Sequence, residues 1–109
     1  MADEPKVLGQ SAPSATTLTD LYTVPGGASA VASSLVICNR GSVNTTFRVS
    51  IAIAGAGDAS AQYLYYDHIV PGNSTFILTI GITLEETDVV RVYAGTGNLS
   101  FNLFGVEVV

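Results

Sequence analysis

The sequence has no tryptophan, one cysteine (Cys38), one histidine (His68) and few charges: 12% of residues, where globular proteins carry roughly 25%. Each shortage excludes something. A single cysteine permits no intrachain disulfide and no cysteine-built zinc site within one chain. A single histidine leaves triad chemistry one possible base. His68 falls inside a predicted strand, its neighbour Asp67 points to the other face, and no Gly-x-Ser-x-Gly elbow is present. Lys and Arg total four against nine acidic residues, a formal net charge of -5. That balance argues against a nucleic-acid face, which must displace counterions from phosphates, and against an anionic membrane surface. No apolar run reaches the roughly 18 residues of a membrane helix. The opening Met1-Ala2-Asp3-Glu4-Pro5-Lys6 is polar and acidic, unlike a signal peptide, so synthesis and folding in a cytoplasm without secretion are expected.

What remains is an apolar, weakly charged chain of 109 residues, 48% hydrophobic. That length suits one domain, and roughly 65% of its unfolded surface can be buried on folding. Residues 1–18 hold Pro5, Gly9, Pro13 and a Ser/Ala/Thr cluster, with only Val7 and Leu8 strongly apolar, and read as an extended N-terminal arm, either frayed or ordered by lying across a neighbouring subunit. Residues 19–109 read as the folded domain. Its strands are Leu21–Val24, Ala30–Cys38, Thr45–Ala54, Gln62–Val70, Thr75–Ile80, Asp88–Ala94 and Leu99–Val109. They are separated by turns such as Pro25-Gly26-Gly27, Pro71-Gly72-Asn73 and Gly95-Thr96-Gly97-Asn98. The alternation is plainest in Phe47, Val49, Ile51 and Ile53, with a period of two that marks one buried face. Gly105 is placed as a bulge or kink ahead of Val106 and Val108. About seven short strands at this turn spacing predict an all-β fold, a single antiparallel β-sandwich of jelly-roll or immunoglobulin-like type.

Chemistry is scarce. Glu85, Glu86 and Asp88 cluster in one connection but lack the spaced acids and glycine of a calcium loop, so no metal is assigned. Gly55-Ala56-Gly57-Asp58 has no lysine and no following helix, which removes a phosphate cradle. Cys38 reads as a small apolar filler. No catalytic residue and no cofactor are expected, and the chain reads as a non-enzyme. The tyrosines are the suggestive feature. Tyr63 and Tyr65 share one face under strict alternation, with Tyr66, Leu64 and His68 on the other. Such a strand suits a core on one side and a partner on the other, because tyrosine brings contact area and a polar tip at low entropic cost; plain core burial of two of the tyrosines fits it equally, and tyrosines also stack on sugar rings. Candidate protein-interface residues are Lys6, Val7 and Leu8 of the arm and Tyr63, Tyr65 and Tyr66. Long strands with few charges leave sheet edges unprotected, which a closed homo-oligomer would cover.

The strings Leu21-Tyr22-Thr23-Val24-Pro25-Gly26, Ser33 to Gly41, Tyr63-Leu64-Tyr65-Tyr66-Asp67, Asp88 to Ala94 and Ser100 to Glu107, in that order and spacing, resemble small β-sandwich virion structural proteins of tailed bacteriophages. The resemblance covers about Asp20 to Val109. It implies a virion component that self-associates, often as a trimer. Its first implied placement is a capsid decoration (cement) protein that stabilises the head by contact with the major capsid protein. Its second is a tail, neck, collar, baseplate or fibre component, with host glycan as a possible ligand. No catalytic residue carries over.

Overall fold

The computed structural model describes residues 3–109; Met1 and Ala2, the first residues of the expected arm, lie outside the described residues. The chain is all-β, and the described residues form eight strands rather than the expected seven: β1 (Asp3–Ser11), β2 (Thr19–Thr23), β3 (Ser29–Asn39), β4 (Thr45–Ala52), β5 (Tyr63–Val70), β6 (Thr75–Leu84), β7 (Val89–Ala94) and β8 (Leu99–Val108). Two one-turn 3-10 segments, Ile53–Gly55 and Ser60–Gln62, lie in the β4–β5 connection. The strands form two antiparallel sheets of four, in the orders β1-β8-β3-β6 and β2-β7-β4-β5.

The extra strand is β1, drawn from the segment expected as an arm. It lies along β8 from Asp3 opposite Val108 to Ser11 opposite Phe101. Its residues are mostly exposed, so no side-chain alternation announces it. Backbone pairing with β8 orders it instead, since β8 would otherwise present unpaired N–H and C=O groups. Leu8 of this strand packs against the core.

Both sheets contribute to one core. Phe47 of β4 lies 5.8 Å from Phe76 of β6 and 6.4 Å from Phe101 of β8, ring centre to ring centre. Around them Leu35, Ile37, Val49, Val92, Leu99 and Leu103 are almost wholly buried. The alternation of β4 holds for Phe47, Val49 and Ile51, which point toward this core. It fails at Ile53, which turns outward into the first 3-10 segment and is 73% exposed.

A line of register shifts crosses the first sheet near the middle of β8. Leu8 is an extra residue on β1, and Ser33 is an extra residue on β3, where these strands pass residues 103–105. At Gly105 an added Cβ would collide with the Val31 carbonyl and with Ala32 Cα. The glycine therefore permits close backbone approach, as a bulge site requires. The irregularity expected at Gly105 sits there, but its extra residues are in the neighbouring strands. The inward series of β8 continues unbroken through Leu99, Phe101, Leu103, Gly105 and Glu107.

The β3–β4 and β5–β6 connections are tied together by Asn39, which is 2% exposed. Its side-chain Nδ2 donates to the carbonyls of Val43 (2.9 Å), Val70 (3.1 Å) and Pro71 (3.2 Å), and its Oδ1 accepts from Gly41 N–H at 3.0 Å.

Candidate functional site

Two irregularities in β5 decide which tyrosines meet. Val49 of β4 faces Tyr65 while the next residue, Ser50, faces Tyr63, which leaves Leu64 as an extra residue. Phe47 faces His68, so Tyr66 and Asp67 together oppose Arg48. Asp67 takes φ 53° to make this second bulge, a left-handed conformation that aspartate tolerates better than most residues. Each bulge reverses the alternation. Tyr65 and His68 therefore share the core-facing side, and Tyr63 joins Tyr66 on the outer side, which corrects the expected pairing of Tyr63 with Tyr65 and of Tyr66 with His68.

On the core side Tyr65 lies 5.8 Å from Phe47, and His68 stacks on Phe76 at 4.7 Å with 12° between the ring planes. These rings close the open margin of the core between β5 and β6. On the outer side Tyr63 and Tyr66 meet at 5.1 Å and 84°, forming a right-angled aromatic corner. The Arg48 guanidinium sits 4.0 Å from the Tyr66 ring centre and 4.2 Å from that of Tyr93 on β7. Two rings thus hold it by cation–π attraction. Its Nε and Nη2 donate to the two oxygens of Asp67 at 2.7 and 3.3 Å. The Asp67 pairing raises the Arg48 pKa above its usual value and keeps it charged.

The β4–β5 connection forms the opposite wall. Tyr63 Oη donates to Asp58 Oδ1 at 2.8 Å. Burial, and then this bond, push the Tyr63 phenol above its usual pKa. Gln62 closes the short segment by donating to the Gly57 carbonyl at 2.8 Å and accepting from Ala59 N–H at 3.3 Å. The connection is anchored from below. Arg91 donates to the Ala56 and Gly55 carbonyls at 2.7 and 3.3 Å and pairs with Asp20 at 3.0 Å. Asp88 accepts from Ala54 N–H and from Glu85 N–H, both at 2.9 Å. Ser50 and Ala52 of β4 are buried, and among the described residues Ser50 Oγ has no hydrogen-bond partner. What results is a cleft of about 410 Å³ lined by Arg48, Asp58, Ala59, Ser60, Tyr63 and Tyr66.

The candidate interface residues therefore do not form one patch. Tyr63 and Tyr66 line the cleft, whereas Tyr65 packs on the core margin. Lys6, Val7 and Leu8 lie on β1, an edge strand of the other sheet. Of these, Val7 is exposed, Leu8 packs inward and Lys6 is engaged within the chain. Its Nζ lies 2.6 Å from Glu107 and 3.5 Å from Glu4. Glu107 also accepts from the buried Tyr22 hydroxyl at 2.5 Å. The Lys6 bond and then the Tyr22 bond hold the Glu107 carboxyl below its ordinary range.

Glu107 was not singled out from the sequence, although the alternation starting at Leu99 reaches it. A bulge or kink expected in β8 itself at Gly105 breaks that alternation before Glu107 and conceals it. Arg48 was also missed, because only the second bulge sets two tyrosine-strand residues against it. Of the acids near the β6–β7 turn, Asp88 caps backbone N–H groups and Glu86 accepts from Gly27 N–H at 2.6 Å. Among the described residues no three His, Cys, Asp or Glu side chains gather into a metal-binding group. Comparison with protein-family models, with curated proteins and with solved structures finds no match.

Proposed function

We propose that this chain is a non-enzymatic, self-associating structural component of a tailed-phage virion, and specifically a capsid decoration protein that stabilises the head, with a trimer as its assembled form. In this reading the two sheets are the halves of an eight-strand jelly-roll sandwich. The orders β1-β8-β3-β6 and β2-β7-β4-β5 are those of two interleaved Greek keys, an architecture used by viral capsid and lectin domains. Architecture alone does not fix a role.

The observation that carries the self-association is β6. This ten-residue edge strand, Thr75 to Leu84, contains no charged residue and no proline. Ile77 on it is 64% exposed, and Ile69 on the adjacent edge strand β5 is 58% exposed. A long uncharged edge is a template for unwanted pairing unless something covers it. A closed oligomer covers it without open-ended growth.

Sedimentation equilibrium tests this directly. The wild-type protein should be a trimer, and Ile77→Lys should yield a folded monomer, because the side chain points to solvent and its replacement disturbs no core. A wild-type chain that stays monomeric refutes the self-association. The placement is tested by quantitative mass spectrometry of purified particles: a copy number comparable with the shell protein supports decoration. A few copies per particle support the second reading, a tail, neck or baseplate component, which the outward aromatic cleft favours.

A further inference from the structure

The outer-face cleft is equipped for a ligand that the particle reading does not require. Its floor and walls carry a tyrosine corner with ring planes at 84°, and Tyr66 is 60% exposed. Beside the corner stand unused hydrogen-bonding groups of both kinds. Arg48 spends Nε and Nη2 on Asp67, and among the described residues its Nη1 donates to no protein atom. Asp58 receives the Tyr63 hydroxyl on Oδ1, which leaves Oδ2 free to accept. The Ser60 hydroxyl can do either.

Charge narrows the ligand class. The Arg48 cation is matched by Asp67 at 2.7 Å, and Asp58 adds a further negative charge at the rim. An anion therefore meets no net attraction. A simple apolar ligand would strip water from Arg48 and Asp58 without replacing it, which is costly. A cation is drawn to Asp58 but leaves the free Arg48 Nη1 donor unused and faces its charge; the chemistry that uses the free donor and the free acceptor together is a neutral ring with an apolar face of C–H groups and an edge of hydroxyls, each able to donate and accept. A pyranose has that pattern. The volume, about 410 Å³, falls within the roughly 300–1,000 Å³ of small-molecule sites.

We infer that the cleft between Arg48, Asp58, Ser60, Tyr63 and Tyr66 is a binding site for a neutral saccharide, with a sugar face against the tyrosine corner and vicinal hydroxyls bridging Arg48 Nη1 and Asp58 Oδ2. The walls are preorganised: Arg91 and Asp88 fix the β4–β5 connection before any ligand arrives, and Tyr66, Tyr93 and Asp67 fix Arg48. Preorganisation lowers the ordering cost of binding. The inference stands on the cleft and holds whatever the copy number or oligomeric state.

The test is a titration of the full ¹⁵N-labelled chain, in its own oligomeric state, followed by ¹H–¹⁵N correlation spectra. The probes are methyl glycosides of glucose, galactose and N-acetylglucosamine, with sialyllactose and Nα-acetyl-lysine amide, whose ε-ammonium is free, as charged counterparts. At least one neutral glycoside should shift the amides of Arg48, of residues 58–66 and of Tyr93, with millimolar affinity. Tyr66→Ala and Asp58→Asn should each weaken it at least about tenfold, as for residues at the centre of a contact, while amides of the core stay in place. Both side chains are exposed, so neither change empties the core. No response to any neutral glycoside at tens of millimolar overturns the inference. So do shifts confined to another surface, unchanged affinity in both variants, or a response to the lysine probe alone, which would mark the cleft as a socket for a basic side chain.

Discussion

Replacing Asn39 by alanine removes an amide that serves two connections at once. Its Nδ2 has two hydrogens and three carbonyls within reach, those of Val43, Val70 and Pro71. It makes two full bonds, one of them shared, and Oδ1 adds a third from Gly41 N–H. Each such bond contributes about 1 kcal/mol net, and each buried group left without a partner costs about 1–3 kcal/mol. The Val43 carbonyl lies near solvent and can take up water, but the Val70 bond is buried. The expected loss is about 2–4 kcal/mol, a large part of the roughly 5–15 kcal/mol that holds a domain together. At about 4 °C per kcal/mol for a chain of this size, Tm should fall by about 8–16 °C. Urea unfolding followed by far-UV circular dichroism measures it, with the slope m unchanged. Asn39→Asp sharpens the test. It has the same shape and keeps the Gly41 bond, but aims a carboxylate oxygen at three carbonyls. It should be less stable than the alanine variant at neutral pH. It should recover as pH falls, because the protonated form can donate and the folded state then binds the extra proton. If alanine costs less than about 0.5 kcal/mol, within the range of ordinary surface changes, or if aspartate is the milder substitution, the connections do not depend on this amide.

The other predictions concern charges within the fold. Glu107 has its pKa held below the ordinary 4.5. The stability it contributes is therefore present above pH 4.5 and is lost as pH falls through the lowered value. Glu107→Gln should lower Tm by several degrees at neutral pH and flatten the acid limb of a Tm–pH profile; an unchanged acid limb would show that the carboxylate is not the group titrating. The Tyr22 phenol is raised above its usual 10.0, first by burial and then by its bond to Glu107. Its contribution is thus complete below pH 10 and lost above it, and Tyr22→Phe should remove that part of the alkaline limb. Asp88→Asn presents an amide hydrogen to one of the two N–H groups it now accepts from, and should cost about 1–3 kcal/mol. Amides of residues 54–62 should also exchange faster with solvent; unchanged exchange there would mean that the connection is held without Asp88.

The legible parts of this fold are those where burial and chain direction agree. The strands from β2 to β8 show themselves through alternation and through breakers such as Pro25-Gly26-Gly27 and Pro71-Gly72-Asn73. β1 does not, because an edge strand held by backbone pairing needs no apolar face, and its residues resemble those of a tail. The cleft was half legible. The tyrosines were conspicuous, but their facing depends on the bulges at Leu64 and at Tyr66–Asp67. A bulge is specified by the fit of two strands, and a single strand read alone carries no mark of it beyond an aspartate that tolerates positive φ. Arg48 and Asp58 follow from the same geometry, since neither is near Tyr66 in the sequence reading until the strand is paired and the connection folded over it. Ile53 shows the converse: its alternation is good, and a 3-10 turn simply ends the strand beneath it.

The pairing of β1 with β8 also sets the order in which the molecule can be completed. Asp3 finds its partner at Val108, and β8 lies between β1 and β3. During synthesis the second sheet, β2-β7-β4-β5, can assemble from strands already made, while the first lacks β8, which joins β1 to β3, until that strand has left the ribosome. Until then β1 has no partner strand and β3 has one unmatched edge. Contacts of such long sequence separation make for slow folding and for an exposed, aggregation-prone interval.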